Sequence, residues 1–278
     1  GGPADAAPAR APEAGPKASA AQLSRDLASE LSRTFGLSRC AALKLTTEDD
    51  VCCRLRACLS SGGRLLWPRI FPASPGAPVK LEICAGTGEW AAAQARADGS
   101  AANWAALEIM RDRTHRIFSR AVLEDVPNLC VLGGDAARIL PRHIAAGSVA
   151  HVFVNFPEPP HVSGSEAAET QLHLLTGPFF REIHRVLAPS GRLTVLSDNL
   201  RYSRALCVTV GGLDGLFRSV PQPRPGDGDD EDVAGVALCH GRPGLAGGHA
   251  AEEVSLFDAL WRSGARTERY FMVLQRAG

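Results

Sequence analysis

The ten residues Leu81–Trp90, LEICAGTGEW, constrain this chain more than any other stretch. An apolar run ends in a carboxylate, crosses a turn of small residues and opens into a helical pattern. A second apolar run, Ala106–Ile109 (ALEI), reaches another carboxylate. Glycines in such a turn let the backbone approach a ligand closely. An acid at the tip of the neighbouring strand can accept ribose hydroxyls. Doubly wound α/β domains hold adenosine-containing cofactors in this way.

Strands and helices alternate around that stretch. Val79–Ile83 reads as a first strand and Glu89–Arg96 as the helix after the turn. Trp104–Glu108 is a second strand, and Arg111–Leu123 a helix with a basic outer face. Asn128–Leu132 is a third strand, followed by Gly133-Gly134-Asp135-Ala136 and a short helix over Ala136–Leu140. Val149–Phe156 (VAHVFVNF) is nearly continuous in apolar residues, as suits a strand buried on both faces. Leu172–Leu187 has helical spacing, and Pro189-Ser190-Gly191 turns into a fifth strand, Arg192–Leu196. Glu252–Arg262 reads as a helix and Tyr270–Leu274 as a last strand. This alternation implies an α/β fold, a doubly wound and mostly parallel sheet with right-handed crossovers.

The flanks are different. Residues 1–20 are rich in Ala, Pro and Gly and read as a disordered tail. Residues 21–78 read as a helical extension. Leu23, Leu27, Leu31 and Phe35 lie at spacing four, a second helix starts at Thr47, and Trp67–Pro78 is a Pro-rich connection. The main domain runs over 79–276. A flexible acidic insertion is expected within it at 221–248, around Asp227–Asp232 (DGDDED).

Composition narrows the function. The 278 residues carry 30 Lys+Arg against 30 Asp+Glu, so a nucleic-acid substrate would have to be held by a local patch. The eight cysteines form no C-x-x-C pair and have no histidines at zinc spacing. We therefore expect no metal, buried thiols and an intracellular, reducing compartment, cytoplasmic or nuclear. An organelle stays open, because the chain begins with Gly1 and a targeting segment ahead of it is compatible with this sequence. No apolar stretch approaches bilayer length, and no membrane partner is expected.

Charge selects the cofactor. Glu82 and Glu89 flank the glycine turn. Two carboxylates repel a pyrophosphate and suit a cation. S-adenosylmethionine, with an ammonium, a sulfonium and no phosphate, is favoured over a nicotinamide dinucleotide. Gly86 and Gly88 would shape the turn, with simple packing as the plain alternative. Glu108 would accept the ribose hydroxyls. Asp135 with Ala136 would meet the adenine edge, and Asp135 can also cap the helix that follows. The fourth strand ends in Asn155-Phe156-Pro157-Glu158-Pro159-Pro160, where a carboxylate between two prolines has little backbone freedom.

In order and spacing, these motifs resemble the tRNA (guanine-N7-)methyltransferase family. Its pattern reads LEIGxGxGxx, GxE, DA, FPDPW, LxPGG and TD. Here those are LEICAGTGEW, ALEI, GGDA, FPEPP, VLAPSGRL and Ser197-Asp198. The family's later T-x-F-E is similar to Ser255-Leu256-Phe257-Asp258. The resemblance covers most of Val79–Arg276 outside the acidic insertion, and FPEP is its most specific piece. It implies a Rossmann-like class I methyltransferase with a seven-stranded sheet and S-adenosylmethionine as cofactor. It implies tRNA as partner, with Glu82, Glu108 and Asp135 binding the cofactor and Glu158 in the active-site position. Asp198 would touch the guanine-bearing substrate, and Ser255 and Asp258 would close over cofactor and substrate.

Three departures matter. The first glycine of the family turn is Cys84. The active-site aspartate is Glu158, one methylene longer. The basic run that follows FPDPW in the family is here His161–Glu169 (HVSGSEAAE), with no Lys or Arg and two carboxylates. Phosphate contacts dominate RNA affinity. Either other groups replace them, such as Arg111, Arg113, Arg116 and Arg120 or a protein partner, or the acceptor differs. Three readings therefore stand: a tRNA guanine-N7 methyltransferase, a methyltransferase of this fold with another acceptor, and a non-catalytic binding or assembly protein.

Overall fold

The computed structural model describes residues 57–160, 173–220, 230–245, 247–249, 251 and 268–278. The disordered tail, the two N-terminal helices up to residue 56, the helix at Glu252–Arg262, Ser255 and Asp258 lie outside these residues. The chain divides into two units, Gly1–Arg56 and Ala57–Gly278. The second contains all the described residues.

Helix α1 (Trp67–Ile70) opens it, with proline in the first turn. The sequence predicts only a connection here. Trp67 and Phe71 stack and are buried in the main core, which is what a four-residue helix achieves. Then follow β1 (Val79–Ile83), α2 (Glu89–Asp98), β2 (Asn103–Glu108), α3 (Arg111–Leu123), β3 (Leu129–Gly133), α4 (Ala136–His143) and β4 (Val149–Asn155). The second half holds α5 (Gly177–Val186), β5 (Leu187–Ser197), α6 (Leu200–Gly211), β6 (Phe217–Ser219), β7 (Glu231–Val233), β8 (Val236–His240) and β9 (Tyr270–Arg276).

One sheet collects the nine strands of the described residues in the order β3-β2-β1-β4-β5-β9-β8-β7, with β6 also on β9. The first five pair in parallel. β9 returns antiparallel to β5, Ser197 opposite Tyr270. β1, β2 and β4 are buried almost throughout, the property that their apolar runs predict. The chain leaves β1 towards β2 and β3 on one side, and reaches β4 and β5 on the other. The crevice above β1 and β4 is therefore the topological switch point, where doubly wound sheets bind ligands.

Two expectations meet the structure differently. Among the described residues the sheet has nine strands, where the resemblance implies seven. Of the stretch expected as a flexible insertion at 221–248, residues 221–229 lie outside the described ones, while further along β7 and β8 form an antiparallel hairpin and β8 joins β9 through Cys239–Phe271 and His240–Tyr270. Val236 and Leu238 are buried in the main core, so a short alternating pattern outweighs the neighbouring acidic run. Two finer differences have local causes. α5 begins at Gly177, since Pro178 in the first turn cannot donate to a preceding turn. The Pro189-Ser190-Gly191 turn is an irregularity inside a longer β5, where the register with β4 shifts and Ser190 takes φ 60°.

Candidate active site

The carboxyl ends of β1, β2 and β4 meet at the switch point, and the glycine turn closes it. Cys84, Gly86 and Gly88 all have positive φ, 61°, 59° and 80°. Gly88 precedes α2 and abuts Ile117 of α3, where a Cβ would lie 2.8 Å from Ile117 Cγ1. Nothing stands within 4 Å of a Cβ placed on Gly86. The turn is therefore packed tightly on its helix side and open on its ligand side.

Glu108 fixes the turn. Its Oε2 accepts from the Gly86 amide and its Oε1 from the Met110 amide, both at 2.9 Å. Each oxygen keeps a second lone pair, so the carboxylate can still accept a ribose hydroxyl. Its geometry adds a bracing role that the sequence reading did not assign.

Glu82 is 2 % exposed and Asn155 7 %. Asn155 Nδ2 donates to Glu82 Oε1 at 2.9 Å. Glu82 Oε2 and Asn155 Oδ1 are buried acceptors with no protein donor. Burial, followed by the nearby charges of Glu108 and Glu89, pushes the Glu82 carboxyl up to about 8, although the Asn155 hydrogen bond pulls it down. An isolated buried carboxylate is costly, and a bound cation with N–H donors removes that cost. The sequence analysis does not single out Asn155. It lies two residues beyond Phe153, which is opposite Glu82, and its place at the carboxyl end of the fourth strand is its one sign in the sequence.

Other expected residues divide. Asp135 Oδ1 accepts from the Ala137 amide at 2.9 Å and caps α4, while the buried Ala136 starts that helix. Glu89 is not directed to a ligand, because it accepts from Thr87 Oγ1 and pairs with Arg120 at 3.1 Å. Arg120 also pairs with Glu124, so its guanidinium is held by two carboxylates. Glu158 is exposed at the rim beyond buried Pro157, and its charge acts on the Cys84 thiol. Cys84 as a residue reaches the surface. Its thiol is nonetheless pushed up to about 12, by desolvation first and then by Glu108 and Glu82. Tyr202, in the first turn of α6, comes near the same thiol, and its hydroxyl lies 3.5 Å from His173 Nδ1. Asp198 is half-buried at the end of β5, next to Asn199, which caps α6. Among the described residues no group of three His, Cys, Asp or Glu is arranged to hold a metal.

The site fits S-adenosylmethionine by its donor set. Two buried acceptors suit an ammonium, a braced carboxylate suits ribose, and an open glycine turn leaves room for the chain between them. Fold and site together define a doubly wound α/β domain with an acidic cradle for a cationic, adenosine-type cofactor.

The chain belongs to the methyltransferase family whose model, described as "Putative methyltransferase", matches residues 76–222, more than half of its length. A tRNA (guanine-N(7)-)-methyltransferase of Chlamydia muridarum is 32% identical over 136 residues, 49% of this chain and 58% of that protein. One from Rhodococcus jostii is 32% identical over 149 residues, 54% of this chain and 55% of that protein. This chain thus spans little more than half the length of either relative. Among solved structures, a SAM dependent methyltransferase from Aquifex aeolicus is similar over 72% of this chain and 82% of that one, with 11% identity and a TM-score of 0.44.

Proposed function

We propose that this protein is an S-adenosylmethionine-dependent methyltransferase that acts on N7 of a guanine in tRNA. The observation that carries the cofactor half is the Glu82–Asn155 pair, whose two unmatched buried oxygens call for a cationic donor. The acceptor half is supported by the FPEP motif and by the activity named for the relatives.

When bound, the cofactor supplies a methyl group on a sulfonium. Glu82 and Asn155 would hold its ammonium, Glu108 its ribose, and Asp135 with Ala136 its adenine edge. Gly86 and Gly88 keep the turn low enough for close approach. Guanine N7 has a free lone pair and needs no general base. Catalysis then rests on in-line placement and exclusion of water. Glu158 would accept from the guanine N–H donors and offset the positive charge that grows on the ring. Asp198 would assist it, with Ser255 and Asp258 closing over both ligands. The methyltransferase domain in this reading runs over 79–276 and the helical extension over 21–78, whose last part, with Trp67 and Phe71, packs into the domain core.

A second reading is favoured by one observation: the run after FPEPP has no Lys or Arg. A less anionic acceptor would fit it, as would a protein partner that brings the basic surface. Incubation of the purified protein with tRNA and methyl-labelled cofactor, followed by nucleoside mass spectrometry, separates these cases. We expect labelled 7-methylguanosine, lost in Glu158→Ala. Label on another acceptor, again dependent on Glu158, would replace the tRNA assignment. Bound cofactor with no transfer to any acceptor would leave a binding protein.

A further inference from the structure

Phe156 connects β4 to the exposed Glu158 with an unusual backbone. It has φ 50°, a left-handed conformation rare for a large side chain. Such a conformation persists only where the surroundings over-determine it. Its amide donates to Leu196 O at 2.7 Å. Its ring packs against the cluster of Leu196, Cys239, Phe271 and Val273, to which β5, β8 and β9 contribute. Over the same ring lies the Arg269 guanidinium, with Cζ 5.4 Å from the centroid. Arg269 is only 6 % exposed. Its Nη1 donates to Glu268 O at 2.8 Å, and its carbonyl accepts from the Gly241 amide at 2.8 Å. A cation taken out of water and laid on an aromatic face is a directional contact, stronger than the same contact at an exposed site.

We propose that Arg269 is a positioning residue for Glu158: stacked on Phe156, it locks the left-handed turn that carries Glu158 to the pocket. Pro157 is buried and its φ is fixed by its ring, so little freedom separates the clamped Phe156 from the glutamate. Glu158 is one methylene longer than the aspartate that its motif resembles, and a longer side chain depends more on a rigid base. The sequence shows no sign of this. Arg269 lies 111 positions after Glu158, and only the antiparallel return of β9 beside β5 brings its strand to the same end of the sheet.

The inference rests on Glu158 facing the acceptor, so two readouts are needed. The first is hydrogen exchange on the full chain without RNA. In Arg269→Met the Phe156 amide should exchange about tenfold faster, with the Leu81 and Ile83 amides unchanged, and Arg269→Lys should fall between. The second is steady-state methyl transfer. Arg269→Met should lower kcat roughly 10- to 100-fold and hold the cofactor Kd within about twofold. Phe156→Leu should reproduce both effects, and Arg269→Met added to it should do little more. Unchanged Phe156 exchange overturns the clamp. A loosened turn with normal kcat overturns the positioning role, as does uniform loss of protection in both the Met and Lys variants. If the wild-type protein methylates nothing, the proposed function fails, and Phe156 exchange alone decides the clamp.

Discussion

Glu82 contributes a pH dependence to stability. Burial raises its carboxyl to about 8 in the fold, from an ordinary 4.5. Between those values the folded chain holds a proton that the unfolded chain releases, so stability falls as pH rises from 4.5 to 8. Glu82→Gln should flatten this slope in melting curves recorded without ligand. A steeper slope in the variant would contradict the assignment. The glycine turn gives a second contrast. Gly88→Ala drives a Cβ into Ile117 at a left-handed position and should cost about 2 kcal/mol in denaturant unfolding. Gly86→Ala meets no atom and should cost only about 1 kcal/mol, yet weaken cofactor binding. Cys84, held near 12, should resist iodoacetamide at pH 7.5 despite its exposed position.

Elements were legible where one period dominated. β1 and α3 fall on the predicted bounds because an apolar run and an amphipathic stripe each have sharp ends there. β9 extends only two residues beyond its predicted end. The sequence pattern does not mark α6, though Asn199 accepting from the Tyr202 amide caps it in the ordinary way. The β7–β8 hairpin is hidden because the acidic run Asp227–Asp232 and the glycines around it mask a short apolar stretch, Val233–Cys239. Pairing partners far along the chain settle such a segment, and one sequence does not display them. The candidate site follows the same rule. Motifs point to Glu82, Glu108 and Glu158 as candidates, whereas Asn155, and Arg269 in the role proposed for it, depend on cross-strand neighbours. The hairpin is packed as well as paired, since a Cβ on Gly211 of α6 would lie 2.3 Å from Ala234 O in its turn. Gly211→Ala should therefore destabilise by about 2 kcal/mol and speed exchange at Val236 and Leu238 first. Uniform exchange changes would contradict a packed hairpin.

Across the whole molecule the sheet order and the charge distribution lead to one account. The switch between β1 and β4 gathers Glu82, Asn155, the Glu108-braced turn and the Glu158 tip at one end of the sheet. Glu82, Glu108 and Glu158 gather at this end, while the chain as a whole carries equal numbers of acidic and basic residues. That balance favours a cationic small ligand at the crevice and leaves RNA affinity to local groups or a partner. No described helix is long and apolar enough to cross a membrane. The most direct measurement is calorimetric titration of S-adenosylmethionine into the purified chain across pH 6.5–8.5, in buffers of different ionisation enthalpy. The account predicts one site per chain, proton release on binding, and affinity that rises with pH as Glu82 ionises. Glu82→Gln should bind about 10- to 100-fold more weakly at the upper end of that range, with a smaller gap at the lower end. No binding heat, or an affinity indifferent to both pH and Glu82, would contradict it.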